Sequence, residues 1–166
     1  MAGMLIMGID PGTRTTGYGI VRSEGDSLVC VEYGAVQNAA KLTVYECHAR
    51  IYEGILKLMR EYSITAVATE AQFFSKNVRT ALRIGEARSV ALLPAAQAGI
   101  PICEYAPRRV KQALVGFGGA QKDQVQTMVR TLLNLREPIT PEDAADALAV
   151  AICHAHAKPA LAALAS

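Results

Sequence analysis

Four acidic residues, Asp10, Glu70, Asp143 and Asp146, stand in stretches whose apolar neighbours should hold them in place. Asp10 closes the run M-L-I-M-G-I-D, and Glu70 closes I-T-A-V-A-T-E. In both runs the apolar residues anchor a strand and leave the acid at its end, where open α/β sheets carry their sites. Asp143 and Asp146 follow in T-P-E-D-A-A-D-A-L, three residues apart and therefore on one helical face. Thr140 is expected to cap that helix and Pro141 to take its first position. Ala144, Ala145, Ala147 and Leu148 surround the two acids with small or apolar side chains, so this helix should pack closely onto the sheet.

If the four acids converge, their repulsion must be offset. Two unit charges ~4 Å apart interact by roughly 4 kcal/mol at an effective dielectric near 20. Protonation or bound divalent cations would relieve this, and an all-oxygen donor set favours Mg2+ or Mn2+ over zinc. Two such ions would activate a water and stabilise the leaving oxygen in an in-line attack on a phosphodiester. Taken singly, each acid has a plainer reading. Asp143 could serve a capping box, Asp10 could open a D-P-G turn, and Glu70 could be a surface strand end. Their joint placement is what points to catalysis.

The elements that must position these acids follow from hydrophobic period and turn signals. Residues 4–10 read as a buried strand stopped by Pro11-Gly12. Two runs at 17–23 and 27–37, joined by a Glu-Gly-Asp turn, complete a three-strand antiparallel meander. Ile51, Ile55, Leu58 and Met59 set a helix over 43–62, and 64–70 reads as another strand. Residues 77–97 are helical up to Pro94, 101–106 form a strand, and helices follow at 107–115, 121–134 and 141–157. The pattern predicts one mixed α/β domain over residues 1–158, a meander plus parallel strands flanked by helices, with 159–166 as a flexible C-terminal tail. That order resembles the ribonuclease H-like arrangement.

Half of the 166 residues are hydrophobic and 19% are charged, which argues for a packed core and against disorder. No apolar run approaches the ~20 residues of a membrane span. The start M-A-G-M-L-I-M-G-I-D lacks a charged n-region, so no secretory leader is expected and a soluble, cytoplasmic protein is. The net charge of +2 says little about partners, so any nucleic-acid surface must come from local clusters. Cys30, Cys47, Cys103 and Cys153 are widely spaced and read as small buried hydrophobes. Cys153-His154-Ala155-His156 lies on one helix without a second ligand cluster, and a packed helix end is the better reading than zinc.

Basic and aromatic residues cluster near the acids. Phe73 and Phe74 stand together just after Glu70 and could stack on bases or wedge between them, although one of the pair could instead pack into the core. Lys76, Arg79 and Arg83 fall on one helical face after the Glu70 strand, placed for phosphate contact. Arg108, Arg109 and Lys111 form a second cluster, and a Gly116-Phe117-Gly118-Gly119 loop leads to Lys122. That loop lacks the G-K-[ST] ending of a nucleotide-binding loop, so flexibility for approach to DNA is the better reading.

From about Met4 to His156 the chain resembles the RuvC-type Holliday junction resolvases of the ribonuclease H-like class. The resemblance runs through G-I-D-P-G-T-R-T-T-G-Y-G, E-A-Q-F-F-S-K-N, V-K-Q-A-L-V-G-F-G-G-A-Q-K, M-V-R-T-L-L-N-L and D-A-A-D-A-L-A-V-A-I-C-H-A-H. It implies a homodimer that binds a four-way DNA junction and nicks two strands of like polarity symmetrically, leaving 5′-phosphate and 3′-hydroxyl ends. It further implies that Asp10, Glu70, Asp143 and Asp146 bind two metal ions, Mg2+ with Mn2+ as a substitute. Lys111 and Lys122 are implied near the scissile strand, with Lys122 offsetting charge on the phosphate, and Phe73 is implied as the base contact. Around A-Q-F-F relatives vary about a single aromatic, so the choice between Phe73 and Phe74 stays open. A branch-migration motor complex is the implied partner.

Three rival functions fit the residues less well. A ribonuclease H-like nuclease of structured RNA shares the D-x-G-T opening but is not expected to carry the E-A-Q-F-F-S-K-N or V-K-Q-A-L-V-G-F-G segments. An actin-like or sugar-kinase ATPase needs two related halves around its nucleotide, and this sequence has one. A catalytically silent junction binder would gain nothing from four acids facing phosphate.

Overall fold

The computed structural model describes residues 3–71 and 76–164, with side chains through residue 157. Five strands form one mixed sheet: β1 (Met4–Asp10), β2 (Thr15–Glu24), β3 (Ser27–Gln37), β4 (Ala66–Glu70) and β5 (Ile102–Tyr105). Their order across the sheet is β3-β2-β1-β4-β5. β1 pairs antiparallel with β2 and parallel with β4, and β4 pairs parallel with β5. The meander and the ribonuclease H-like layout expected from sequence are both present.

Alternation along the strands feeds two separate cores. Ile6 of β1, Val21 of β2 and Ala68 of β4 pack under α5 (Glu142–Leu164), with α3 (Pro107–Val115) and α4 (Lys122–Leu132) completing that layer. Met7, Ile9, Ile20 and Val67 face the opposite way, onto α1 (Val44–Glu61) and α2 (Val78–Gln97). The starts of α1, α2 and α3 have local causes. Thr43 and Glu46 form a reciprocal capping box on α1, and Asn77 accepts from the Thr80 N–H at 3.2 Å to cap α2. Pro107 opens α3, and Gly116, at φ 95°, ends it in the left-handed region that glycine tolerates.

Four details differ from the sequence expectation. α2 runs through Pro94 to Gln97, because Pro94 and its neighbours Ala91 and Ala95 are buried against the sheet and packing carries the helix past the missing N–H. α5 starts at Glu142, so Pro141 rather than Thr140 immediately precedes it, and the Pro141 carbonyl accepts from the Ala144 N–H at 3.0 Å. α5 also runs on past residue 157. Of the four thiols, Cys47 and Cys153 are buried, whereas Cys30 and Cys103 are only half-buried. No helix among the described residues is long and apolar enough to cross a membrane.

Candidate active site

The same alternation that sorts the core delivers the acids. On β1, Ile6 and Gly8 face α5, and Asp10 is the next residue in that phase. On β4, Ala68 faces α5 and Glu70 is next. The parallel register pairs Ile9 with Thr69, so the two acids that follow leave adjacent strand ends side by side. α5 is drawn down onto this edge by glycines. A Cβ on Gly8 would stand 1.8 Å from the Ala147 carbonyl oxygen, and one on Gly17 2.1 Å from that of Asp143. Gly17 is the β2 partner of Asp10, so the first turn of α5 sits directly over the Asp10 strand end. The segment after Asp10 is pinned as well. Thr16 Oγ1 donates to the Gly12 carbonyl at 2.7 Å, Asn38 donates to that of Thr13 at 2.9 Å, and Arg14 donates to that of Ala39 at 2.7 Å.

Crowding dominates the electrostatics. The Asp10 carboxyl is pushed up to about 7, first by burial, then by the charges of Asp146, Asp143 and Glu70, and finally by a side-chain hydrogen bond with Asp143. Burial and then Asp146 raise Glu70, while Lys111 and Lys122 pull it back. Burial also raises Asp146, with Lys122 as the chief opposing charge. Lys122 Nζ lies 3.5 Å from Asp146 Oδ2 and 3.1 Å from Glu142 Oε1. The four acids singled out in the sequence are therefore electrostatic neighbours. Among the described residues, no three acid, His or Cys side chains are already closed around a point ready to hold an ion. The chemistry of the donors nonetheless fits a hard divalent cation: carboxylates crowded enough to hold a proton near neutrality are relieved by a 2+ charge.

Lys111 is half-buried at the Glu70 side of this edge, and Lys122 reaches it from the start of α4. Arg108 is exposed and lies across the glycine loop, where a Cβ on Gly118 would meet its side chain at 2.2 Å. Arg109 is exposed on α3, turned towards Tyr105 and Cys153. Arg79 and Arg83 are exposed one turn apart on α2, and Arg83 pairs with Glu86 at 3.0 Å. Lys76 does not share their helical face, because Asn77 caps α2 and leaves Lys76 in the segment before it. Phe73 and Phe74 lie outside the described residues.

Several residues that build the site went unread in the sequence. Gly8 and Gly17 were legible only as breaks in strand propensity, yet they set the height of α5. Arg88, in E-A-R-S on α2, bonds the end of β4, a partner that its local sequence does not indicate. Glu142, beside Asp143 in the same acidic run, holds Lys122. His154 is buried, with its Nδ1 2.6 Å from the Tyr105 hydroxyl, and the Cys153 thiol is pushed up to about 11, chiefly by burial, which keeps it protonated.

Comparison with known proteins agrees with this geometry. The family model described as Crossover junction endodeoxyribonuclease RuvC matches residues 6–154. The protein of that name from Syntrophomonas wolfei is 48% identical over 92% of this chain and 89% of its own length. Its counterpart from Pelotomaculum thermopropionicum is 50% identical over 92% of this chain and 93% of its own. Among solved structures, Thermus thermophilus RuvC in complex with Holliday junction substrate superposes with a TM-score of 0.87 at 34% identity, covering 95% of this chain and 96% of that one. A yeast mitochondrial Holliday junction resolvase, at 11% identity and a TM-score of 0.66, shares the fold. The chain belongs to the RuvC family of crossover junction endodeoxyribonucleases, metal-dependent nucleases built on the ribonuclease H-like fold.

Proposed function

We propose that this chain resolves four-way DNA junctions as a homodimer, nicking two strands of like polarity symmetrically by Mg2+-dependent phosphodiester hydrolysis. The observation that carries the reading is the Asp10 carboxyl, raised to about 7 by burial and by three further acids drawn from β4 and α5. Such a cluster costs stability unless a cation neutralises it. In a family of junction nucleases its use is to hold metal against a scissile phosphate.

In this reading Asp10, Glu70, Asp143 and Asp146 hold two Mg2+ ions, with Mn2+ as a substitute. When bound, the ions supply charge neutralisation, an activated water and stabilisation of the leaving oxygen. The chain itself does the positioning. β1 and β4 fix two carboxylates at adjacent strand ends, and α5 brings the other two over them. Lys122 swings from Glu142 to a phosphate oxygen and offsets the charge that builds there. Lys111 supports the same strand. Attack at phosphorus with cleavage of the bond to the 3′ oxygen leaves a 5′-phosphate and a 3′-hydroxyl. Lys76, Arg79, Arg83, Arg108 and Arg109 contact phosphates along the arms, and Phe73 or Phe74 meets bases at the opened crossover.

Two symmetric cuts need two related active sites, which a two-fold dimer supplies. α2 offers the surface. Val78 is 71% exposed, Leu82 62% and Leu93 44%, all on the face turned away from the buried Ala87, Ala91 and Ala95. A branch-migration motor is the expected partner, and the cytoplasm the expected place of action. The test is cleavage of a labelled mobile four-way junction in Mg2+ by the wild type and by Asp10→Asn. Paired nicks by the wild type, with binding but no cutting by the variant, are expected. Equal cleavage of linear duplex, or a preference for structured RNA, would overturn the reading.

A further inference from the structure

Arg88 is the point where α2 grips the catalytic end of the sheet. Its side chain is only 12% exposed and spends its donors on three partners. Nη1 donates to the Glu70 main-chain carbonyl at 2.7 Å and to Thr69 Oγ1 at 3.3 Å. Nη2 meets Glu104 Oε1 at 2.5 Å. Thr69 and Glu104 are register partners on β4 and β5, so one guanidinium ties together the last rung before the acid. On the following residue the Ala71 N–H donates to the Tyr105 carbonyl at 2.8 Å. The peptide plane leaving Glu70 is thus fixed on its carbonyl by Arg88 and on its N–H by β5.

Arg88 acts on the main chain of Glu70, whereas the charges acting on the Glu70 carboxyl are Asp146, Lys111 and Lys122. This division has a chemical use. A guanidinium paired directly with the carboxylate would compete with a cation for its oxygens. Bound to the carbonyl instead, it fixes where the side chain starts without itself occupying the carboxylate oxygens. A planar fork can satisfy three acceptors at once from a fixed position; a lysine ammonium on a flexible stem cannot reproduce that geometry.

We propose that Arg88 is a positioning residue for metal binding: by clamping the Glu70 carbonyl to Thr69 and Glu104, it orients the Glu70 carboxylate towards the ion. The inference rests on the reading of Glu70 as a metal ligand. Groups that orient metal ligands in this way typically change metal affinity or activity by ~10–100-fold when lost.

The test compares wild type, Arg88→Lys, Glu104→Gln and Glu70→Gln as purified full-length proteins. Mn2+ binding is titrated calorimetrically without DNA, and single-turnover junction cleavage is followed against Mg2+ concentration. Thermal melts report folding, and Arg88→Lys, which keeps charge and stem, guards against simple collapse of the fold. Arg88→Lys is expected to weaken Mn2+ binding and raise the half-saturating Mg2+ by ~10–100-fold, with cleavage recovering at high Mg2+. Glu104→Gln, which loosens the same clamp, should shift both in the same direction by less. Wild-type metal dependence in Arg88→Lys, together with a loss in Glu70→Gln, would overturn the role of Arg88 alone. Wild-type metal binding in Glu70→Gln would overturn the ligand reading beneath it.

Discussion

Gly17 of β2 lies directly beneath the Asp143 carbonyl of α5, so close that a Cβ there would stand 2.1 Å from the oxygen and 2.3 Å from its carbon. Both sides of this contact are backbone, so no flexible side chain can yield. Gly17 is also the cross-strand partner of Asp10. The distance between two acids of the site is therefore set by the absence of a methyl group. Gly17→Ala should lift the first turn of α5, costing about 1–3 kcal/mol through overpacking. It should slow single-turnover cleavage by up to ~100-fold, since displacements near 1 Å carry that penalty. Urea melts and cleavage rates at saturating Mg2+ measure the two effects. A destabilised variant that cleaves at the wild-type rate would show that α5 height does not position Asp143.

Asp10 links the same crowding to pH. Its folded carboxyl at about 7 lies above the ordinary value of 3.8, so the folded state holds this proton more firmly than the unfolded chain. The contribution to stability is full below about 3.8 and is lost as pH rises through about 7. Glu70 and Asp146 are raised too and act with the same sign. Metal-free protein should therefore melt lower at pH 8 than at pH 5, and Mg2+ should raise the melting temperature at pH 8 far more than at pH 5. Asp10→Asn removes the largest of these burdens. In chelator at pH 8 it should gain at least about 1 kcal/mol, or roughly 2–4 °C, over the wild type. Calorimetric melts across this range decide the matter, and a variant no more stable than wild type at pH 8 would rule out a repulsive cluster.

Much of this site was legible because it follows from period and parity. Alternation placed Asp10 and Glu70 at strand ends, and a three-residue spacing placed Asp143 and Asp146 on one helical face. The helix packing was legible from Ala144, Ala145 and Ala147, but its cause lay on the other side, in Gly8 and Gly17, whose meaning appears only when a helix crosses them. Lys76 was misassigned to the Arg79–Arg83 face because Asn77 reads equally well as a helical residue or as a cap. Pro94 read as a helix stop because its local cost is plain in sequence, whereas the burial that offsets it is a tertiary fact. Arg88 and Glu142 act through partners remote in sequence or on another element, which no local pattern reveals.

Lys122 brings a positive charge to the edge of the acid cluster. It is 57% exposed, bridges Glu142 and Asp146, and is the chief charge opposing the rise of the Asp146 carboxyl. If its ammonium transfers to the phosphate as negative charge develops, its loss is felt in the transition state more than in binding. Lys122→Ala should lower the single-turnover rate by ~100–1,000-fold while junction affinity in Ca2+ stays close to wild type. Gel-shift titration and quenched cleavage at saturating protein separate the two quantities. Equal rates would remove Lys122 from the reaction.

α2 has two apolar faces, and only one of them meets the described residues of this chain. Ala87, Ala91 and Ala95 lie against the sheet and α1, while Val78, Leu82, Ser89 and Leu93 recur at helical spacing on the opposite side. Surface helices normally carry charge there, so an apolar stripe with a small residue at its middle is suited to close packing against another helix. A second copy of α2 across a two-fold axis would supply one, with each stripe covering the other. Leu82→Glu places a charge at 62% exposure, where it should cost the isolated chain little but should be expelled from a dry interface. The variant is expected to keep its circular dichroism spectrum and to run as a monomer by light scattering. On a junction it should yield single unpaired nicks in place of symmetric pairs, because the second active site no longer arrives with the first. A Leu82→Glu protein that remains dimeric at micromolar concentration and cuts both strands would move the interface elsewhere on the molecule.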